Sequence, residues 1–278
     1  MNSKLKTDWK KVGIIADTHC GSCSGLTHPE YQWRFVKGGN KERNKFARIQ
    51  QQIYSWTKDE MKKIGDFDVL IINGDVIEGD GDKNRGLELI DNDRLNQVAM
   101  AQRAILSLFP CKNIRVIEGT PYHDGKCEPY SKEFARQIQT EEWSRRDRFK
   151  VNGLQFDVRH KVNSSALPHT AFSGIAKEQM LEKYEKDYYD IDKNANIVIR
   201  SHQHKWRYLE GMYPNSCAFV TPGLKGLGEG YAERVGNGVI DIGFVVVYVK
   251  NEFEWSIEKH FMPIRFMIPN VEDAIKNE

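Results

Sequence analysis

The sequence lacks the long apolar runs of membrane-spanning segments. A helix that crosses a bilayer needs about 20 consecutive apolar residues, and no run in this chain approaches that length. The first residues, MNSKLKTDWKK, are polar and basic, and no apolar region of signal-peptide length follows them. We therefore expect a cytoplasmic protein without a membrane partner.

Cysteine is scarce as well. The chain has five cysteines, an odd and scattered set, whereas small secreted domains carry an even framework of disulfides. Cys20 and Cys23 have the spacing C-x-x-C, but no second pair stands at zinc-finger spacing. A redox motif should open a helix directly, and the glycines and serines around these two residues predict a loop. We expect a structural role for both cysteines.

Neither sign of charge dominates the sequence, and repeats, low-complexity segments and flexible linkers are missing. The formal net charge is +2, with 29% charged and 40% hydrophobic residues, as in ordinary globular proteins. A near-neutral total excludes neither nucleic acid nor protein as a partner, because a local basic patch can exist within it. We expect a single domain over 1–278, β-rich from about 206, with a tail at 263–278 whose structure stays undecided.

Short β-branched runs alternate with longer amphipathic stretches in the first half of the chain, the pattern of an α/β protein. Strands are predicted at 11–16, 67–73, 113–118 and 196–200, and helices at 41–64 and 87–108. Residues 148–160 predict a hairpin, because Asn152-Gly153 is a strong two-residue turn signal. The chain is mostly strand-like from 206 to 262. Together these elements predict two packed sheets.

Five of these strands end in Asp or His. Each such residue is a weak signal alone, since Gly-Asp after a strand is usually a turn. In open α/β sheets, however, ligands bind at the carboxyl ends of the strands, so we expect the whole set at one edge. Carboxylates and imidazoles suit Mn²⁺, Fe or Zn²⁺, and a carboxylate can bridge two ions. The residues are Asp17, His19, Asp75, His123, Asp124, His160, His202 and His204.

The order of these residues resembles the calcineurin-like metallophosphoesterase superfamily, whose pattern runs D-x-H, G-D, G-N-H-[DE], H and G-H-x-H. The match covers residues 13–204, roughly two-thirds of the chain. The stretches DTHCGS…GL and GTPYHDG are most similar to small metallophosphoesterases of phage genomes. A phage protein of this kind would act in the host cytoplasm.

The resemblance implies a four-layer α/β-β-α sandwich of two mixed sheets, with a dinuclear metal centre at the C-terminal ends of the strands. Two divalent ions are the implied cofactors, with Mn²⁺ in first place and Fe, Zn²⁺ or Ni²⁺ as alternatives. By the family pattern six residues of the chain would be metal ligands. One ion would be held by Asp17, His19 and His204, the other by His160 and His202, with Asp75 bridging both.

The third block carries the implied catalytic residues. His123 would lie beside the scissile phosphate as general acid or transition-state stabiliser, and Asp124 would orient it. The family has Gly-Asn-His here, with Asn as a metal ligand, whereas Gly119 is followed by Thr-Pro-Tyr in this chain. Either Thr120 or a reshaped loop takes the role of Asn, or one metal site is weaker. In the last block, Ser201 stands where the family pattern has Gly, and we regard this change as mild.

The resemblance implies hydrolysis of a phosphoester by a metal-bridging hydroxide. A phosphodiesterase or nuclease is the first hypothesis, with nucleic acid as one candidate substrate. A phosphomonoesterase such as a phosphoprotein phosphatase is the alternative. The second block of those phosphatases resembles the pattern G-D-x-x-D-R-G. This chain has GDVIEGD instead, and Gly79 stands near the position expected for the Arg. A non-catalytic scaffold with the same fold is the third hypothesis, and the oligomeric state is left open.

Three further segments leave alternatives open. Residues 28–45 form either a substrate-binding loop or a solvated surface loop. The glycine-punctuated stretch 221–238 predicts a loop that could cap the site, where Lys225 and Arg234 could meet phosphate. Residues 141–150 are basic in their second half, which could contact a nucleic-acid backbone. A solvated connection is the interpretation that we favour.

Overall fold

A computed structural model of the protein describes residues 8–80, 88–163, 170–189, 194–228 and 240–263. The undecided tail lies outside these ranges from residue 264 on, and so does Arg234. The helices are α1 (Lys41–Ile64), α2 (Arg94–Leu108), α3 (Pro121–Asp124), α4 (Tyr130–Gln137) and α5 (Ser173–Tyr189). The strands are β1 (Lys10–Ile15), β2 (Val69–Asn73), β3 (Ile114–Ile117), β4 (Trp143–Ser144), β5 (Asp147–Val151), β6 (Leu154–Val158), β7 (Ile197–Arg200), β8 (Arg207–Glu210), β9 (Cys217–Val220), β10 (Gly243–Val249) and β11 (Trp255–Phe261).

The strands form two mixed sheets. The first has the order β11-β10-β1-β2-β3-β4, with β1 to β4 parallel and β10 antiparallel to both of its neighbours. The second has the order β5-β6-β7-β9-β8, in which β6, β7 and β9 are parallel and the two edge strands antiparallel. Parallel neighbours bring several strand ends to one edge of each sheet.

Alternation along the strands assembles the layers, because successive side chains point to opposite faces of a sheet. In β1, Val12 and Ile14 enter the core between the two sheets, whereas Ile15 packs in the cluster that contains residues of α1, α2 and α4. On the far side, Ile175 of α5 packs with residues of the second sheet such as Val198. The order is helices, sheet, sheet, helix, which confirms the predicted fold class.

Local signals set the bounds of these elements. Helix α1 spans the predicted residues 41–64, and the side chain of Asn40 accepts a hydrogen bond from the Arg43 amide at its start. Helix α2 begins at residue 94, later than predicted, because Asp93 caps it. The predicted hairpin turn is confirmed, with positive φ at Asn152 (47°) and Gly153 (88°). No helix in the described ranges is both long and apolar enough to cross a membrane.

A network of charges joins α5 to the second sheet. Asp157 of β6 is buried, and its carboxylate lies 2.6 Å from Arg146 Nε and 2.8 Å from Arg200 Nη1. Arg200, also buried, reaches Glu178 of α5 at 2.8 Å. The expected solvated connection is thus wrong for Arg146, whose guanidinium points into the network because buried carboxylates there require counter-charges.

Candidate metal centre

The candidate site residues lie in the segments that directly follow β1, β2, β3, β6 and β7, with His123 and Asp124 in the short helix α3 after β3. Backbone hydrogen bonds connect these loops to one another. The amides of Asp17 and His19 donate to the carbonyls of Gly74 and Asp75 at 3.1 and 3.0 Å, and the amide of Ser201 donates to the His160 carbonyl at 2.8 Å. The parallel pairing therefore groups the predicted residues of each sheet, and the amide of His202, which donates to Asp17 Oδ2 at 3.1 Å, joins the two groups.

Strained backbone is concentrated in these loops. Five site residues have positive φ, a conformation that is uncommon outside glycine and costs about 1–3 kcal/mol each. Such strain persists where the surrounding structure over-determines it, and it clusters at functional sites. The φ angles are 50° at Asp17, 44° at His19, 46° at Asp75, 76° at His202 and 51° at His204.

Two glycines are required because the side chains of candidate ligands approach them closely. Gly74 has φ of 78°, and a Cβ atom built there would lie 2.4 Å from the ring of His160. A second glycine, Gly119, leaves room for the carboxylate of Asp75, which a Cβ would meet at 2.4 Å. Any side chain at either position would displace a candidate ligand.

Four of the predicted ligands form a first group, whose ligand atoms all lie within 4.8 Å of one another: Asp17, Asp75, His160 and His202. Oδ2 of Asp75 is 3.0 Å from Nε2 of His160 and 3.6 Å from Nδ1 of His202. Oδ1 of Asp17 is 3.9 Å from the same His160 nitrogen. Two carboxylates and two imidazoles thus face one point.

A second group comprises Asp17, His19 and His204. Oδ1 of Asp17 lies 3.3 Å from Nε2 of His204 and 3.8 Å from Nε2 of His19, and the two imidazole nitrogens are 3.2 Å apart. These are the three residues that the resemblance assigns to one ion. Asp17 is common to both groups, whereas Asp75 belongs to the first, so its bridging role stays a prediction.

Two buried atoms at the centre face charged neighbours but make no hydrogen bond with a described residue. Within the described ranges, Asp17 Oδ1 and His160 Nε2 are buried and make no hydrogen bond, although buried polar atoms are nearly always paired. Nδ1 of His160 donates to the Asn73 carbonyl at 2.7 Å, which turns Nε2 toward the carboxylates. A divalent cation would satisfy both atoms, and the oxygen and nitrogen donors suit Mn²⁺, Fe and Zn²⁺.

The pKa values of Asp17 and His160 also indicate that positive charge stabilises this group of residues. Burial alone would raise the pKa of Asp17, but the imidazoles of His204 and His160 outweigh it and hold that pKa well below its usual range. Burial lowers the pKa of His160, and the carboxylates of Asp75 and Asp17 overcome this and raise it to about 9. Without a metal ion, protons therefore supply the charge that cations would bring.

Thr120, where the family pattern has Asn, is directed at the Asp75 carboxylate. Its amide donates to Asp75 Oδ1 at 2.6 Å, and its hydroxyl lies 3.1 and 3.3 Å from the two carboxylate oxygens. These bonds orient a candidate ligand. That the Thr120 hydroxyl also takes the metal-ligand role of the family's Asn stays a prediction.

The third-block residues are brought to the site, but with different partners from those expected. Nε2 of His123 is 4.0 Å from Asp75, and its Nδ1 donates to the carbonyl of Glu78 at 2.6 Å. The Asp124 carboxylate accepts from the amide of Gly119 at 3.0 Å and from the amide of Ser131 at 2.5 Å. The Glu78 backbone, rather than Asp124, therefore orients His123, while Asp124 joins the loop to α4.

Glu78 is the residue that the sequence analysis missed. Its Oε2 is 2.8 Å from Nδ1 of His19 and 2.7 Å from Nζ of Lys225. With His19 and His123 it forms a third group of candidate ligands. Burial would raise its pKa, but the charges of Lys225 and His19 hold that pKa well below its usual range. Glu78 lies three residues after Asp75 in GDVIEGD, and this position close to a predicted ligand is the sequence signal that could identify it.

The two cysteines beside the first block are part of the core, in agreement with the expected structural role. Both side chains are buried, and burial raises the pKa of Cys20 and of Cys23 to about 12. A thiol with so high a pKa stays protonated at neutral pH, which makes it a poor nucleophile. Asp17 and His19, rather than the two cysteines, belong to the groups of candidate metal ligands.

Comparisons with known proteins give structural likeness alone. No family model and no curated protein matches the sequence. Similar solved structures include an archaeal phosphodiesterase (13% identity, 90% of this chain and 99% of that chain, TM-score 0.44) and the phosphoesterase YfcE from E. coli (9%, 89% and 98%, 0.41). Vps29 from Entamoeba histolytica in a complex with Zn²⁺ is another (10%, 90% and 98%, 0.40).

At these TM-scores the likeness decides nothing about the chemistry of this chain, which depends on its own residues. Its blocks follow the metallophosphoesterase order, and they converge on one site at the ends of five strands. The order and the convergence of these blocks agree with the resemblance to the calcineurin-like metallophosphoesterases, and membership of that family stays a prediction. The phage-type placement stays a prediction.

Proposed function

We propose that the protein is a metal-dependent phosphodiesterase of the calcineurin-like type. The observation that carries the proposal is the convergence of six predicted ligands at one point, where the buried atoms Asp17 Oδ1 and His160 Nε2 make no hydrogen bond within the part of the chain that the structure describes. A fold without a ligand at this edge would leave those atoms and the strained φ angles around them unexplained. The six are Asp17, His19, Asp75, His160, His202 and His204.

Two divalent cations held there, with Mn²⁺ the first choice, would clamp a phosphoryl group and lower the pKa of water. The chain's own residues place that chemistry. The bonds from Thr120 hold Asp75, and the Asn73 carbonyl holds His160 in the orientation that a ligand needs. His123 lies beside Asp75, where it can contact the leaving group.

The protonation of His123 sets a condition on its role as general acid. Burial lowers the pKa of His123 to about 4, and the positive charge of His19 acts in the same direction. At neutral pH the ring is thus neutral in the free protein, with the proton on Nδ1 facing Glu78. Donation from Nε2 requires a second proton, which the negative charge of a bound phosphoryl group would stabilise.

The charges around the site favour a diester over a monoester. A phosphomonoester is a dianion and gains from an additional cationic side chain, such as the Arg of the phosphatase pattern. Gly79 stands near that position here, and Lys225 is already paired with Glu78. A diester carries a single negative charge, so it makes a smaller demand of this kind. Nucleic acid is the diester substrate class that we favour.

The test is Mn²⁺-dependent hydrolysis of bis-p-nitrophenyl phosphate beside p-nitrophenyl phosphate. Asp75→Asn should abolish activity while the circular dichroism spectrum is retained, and Asp66→Asn, at an exposed position, is the matched control. Preference for the diester supports the proposal, and preference for the monoester replaces it with the phosphomonoesterase alternative. A metal-loaded protein that hydrolyses neither ester would favour the non-catalytic scaffold.

A further inference from the structure

An aromatic surface continues from the last metal-binding block. Trp206 follows His204 by two residues, a distance of at most about 7 Å of backbone. Asp241 joins the two: its amide donates to the His204 carbonyl at 2.8 Å, and its carboxylate accepts from the Trp206 amide at 2.7 Å. Whatever binds around Trp206 is therefore close to the candidate metal centre.

This surface lies where the open edges of the two sheets meet. Strand β8 is an edge of the second sheet, and β11 is an edge of the first. Trp206, just before β8, contacts Phe261 of β11 with ring centroids 6.1 Å apart, and it stacks on Tyr208 at 6.1 Å with 13° between the planes. We call Trp206, Tyr208, Phe261 and Lys259 the aromatic rim.

The rim is both anchored and exposed. Trp206 packs on Phe219 of the inter-sheet core at 5.2 Å, which holds the indole in place. Tyr208 is 38% exposed and Phe261 36% exposed. Single exposed rings are common on protein surfaces, but here the exposed rings lie together beside a cation, which is the arrangement of a binding surface. The exposed parts of the Tyr208 and Phe261 rings face solvent beside the candidate metal centre.

Positive charge accompanies the rings. Nζ of Lys259 lies 5.8 Å from the ring centroids of both Trp206 and Phe261. The neighbouring acid, Glu258, is on the opposite face of β11, because side chains alternate along a strand, and there it approaches His260 at 3.8 Å. Aromatic faces next to an ammonium group are the combination that binds unpaired bases and the phosphates between them.

We propose that the aromatic rim binds the bases of a single-stranded polynucleotide whose backbone passes into the candidate metal centre. This inference rests on the proposed phosphodiesterase function and names its substrate class. The bases stack on Tyr208 and Phe261, while Lys259 contacts a backbone phosphate. Stacking tolerates any base, because every base has a π-face, so binding is largely independent of sequence.

The test is the fluorescence anisotropy of a labelled oligothymidylate, measured in EDTA so that hydrolysis does not interfere. Tyr208→Ala and Phe261→Ala should each raise Kd about 10-fold, the usual loss for one stacked base. Phe261→Leu keeps apolar packing but removes the ring, so it should weaken binding too. Lys259→Gln should reduce the slope of log Kd against log salt by about 0.7, the loss of one phosphate contact.

Phe253→Ala is the matched control, because Phe253 is 77% exposed in the turn at the other end of the β10–β11 hairpin. It should leave Kd unchanged. An unchanged Kd in the Tyr208 and Phe261 variants overturns the proposal, as does wild-type protein that fails to bind the oligonucleotide or binds a duplex equally well. A wild-type protein that binds through the rim but hydrolyses no ester would instead contradict the proposed function alone.

Discussion

The carboxylate of Glu78 lies 2.8 Å from Nδ1 of His19, on the side of the imidazole that faces away from Asp17. A carboxylate behind a metal-binding histidine fixes the ring orientation and its tautomer and makes the ligand more basic. Lys225 pairs with the same carboxylate oxygen at 2.7 Å and compensates its charge in a buried setting.

Glu78→Gln should therefore weaken metal binding about 10–100-fold, the range for loss of a partner behind a ligand. The amide is neutral, so it neither raises the basicity of His19 nor balances Lys225. Isothermal titration with Mn²⁺ measures the change. Glu141→Gln, at an exposed position, is the control and should bind metal as the wild type does. Equal affinity in the two variants would contradict a role for Glu78 behind the ligand.

His123→Ala should lower kcat/KM by about 10²–10⁴-fold for a diester with an alkoxide leaving group, and far less for p-nitrophenolate. General acid catalysis matters in proportion to the basicity of the departing oxygen, and nitrophenolate leaves without a proton. The comparison of the two substrates is the measurement, and His28→Ala, a histidine that packs on Tyr54 of α1, is the control. Equal losses on both substrates would restrict His123 to binding.

Arg200→Met should lower the free energy of unfolding by about 3–5 kcal/mol, because it removes the close partner of Glu178 and one of the guanidinium partners of the buried Asp157. Urea denaturation measures the loss. Arg136→Met is the matched control, since Arg136 pairs with Glu133 on the exposed surface of α4 and exposed pairs contribute little. Two variants of the same stability would show that the network beneath α5 is dispensable.

The candidate site was predictable from the sequence where its residues follow strands. Apolar runs mark β1 and β2, and Asp17 and Asp75 come directly after them, so their convergence follows from parallel pairing. Helix α1 was likewise predictable over its whole length, because its apolar spacing and the cap at Asn40 are local signals. The short helices α3 and α4 have too few residues to show a period.

Contacts between distant segments could not be predicted in this way. Glu78 and Lys225 are 147 residues apart, and no local pattern pairs them. The same holds for Arg146, which lies in a basic run of the sequence but pairs with the buried carboxylate of Asp157.

The sequence by itself determined the α/β class, the hairpin turn at Asn152-Gly153 and the order of the candidate ligands, because each depends on neighbours a few residues away. Only the tertiary structure decided which group orients His123, that Asp17 is shared by two ligand groups, and that Trp206 and Phe261 meet at the edges of two sheets. Those relationships depend on how the sheets stack, and stacking is set by the packing of the whole core.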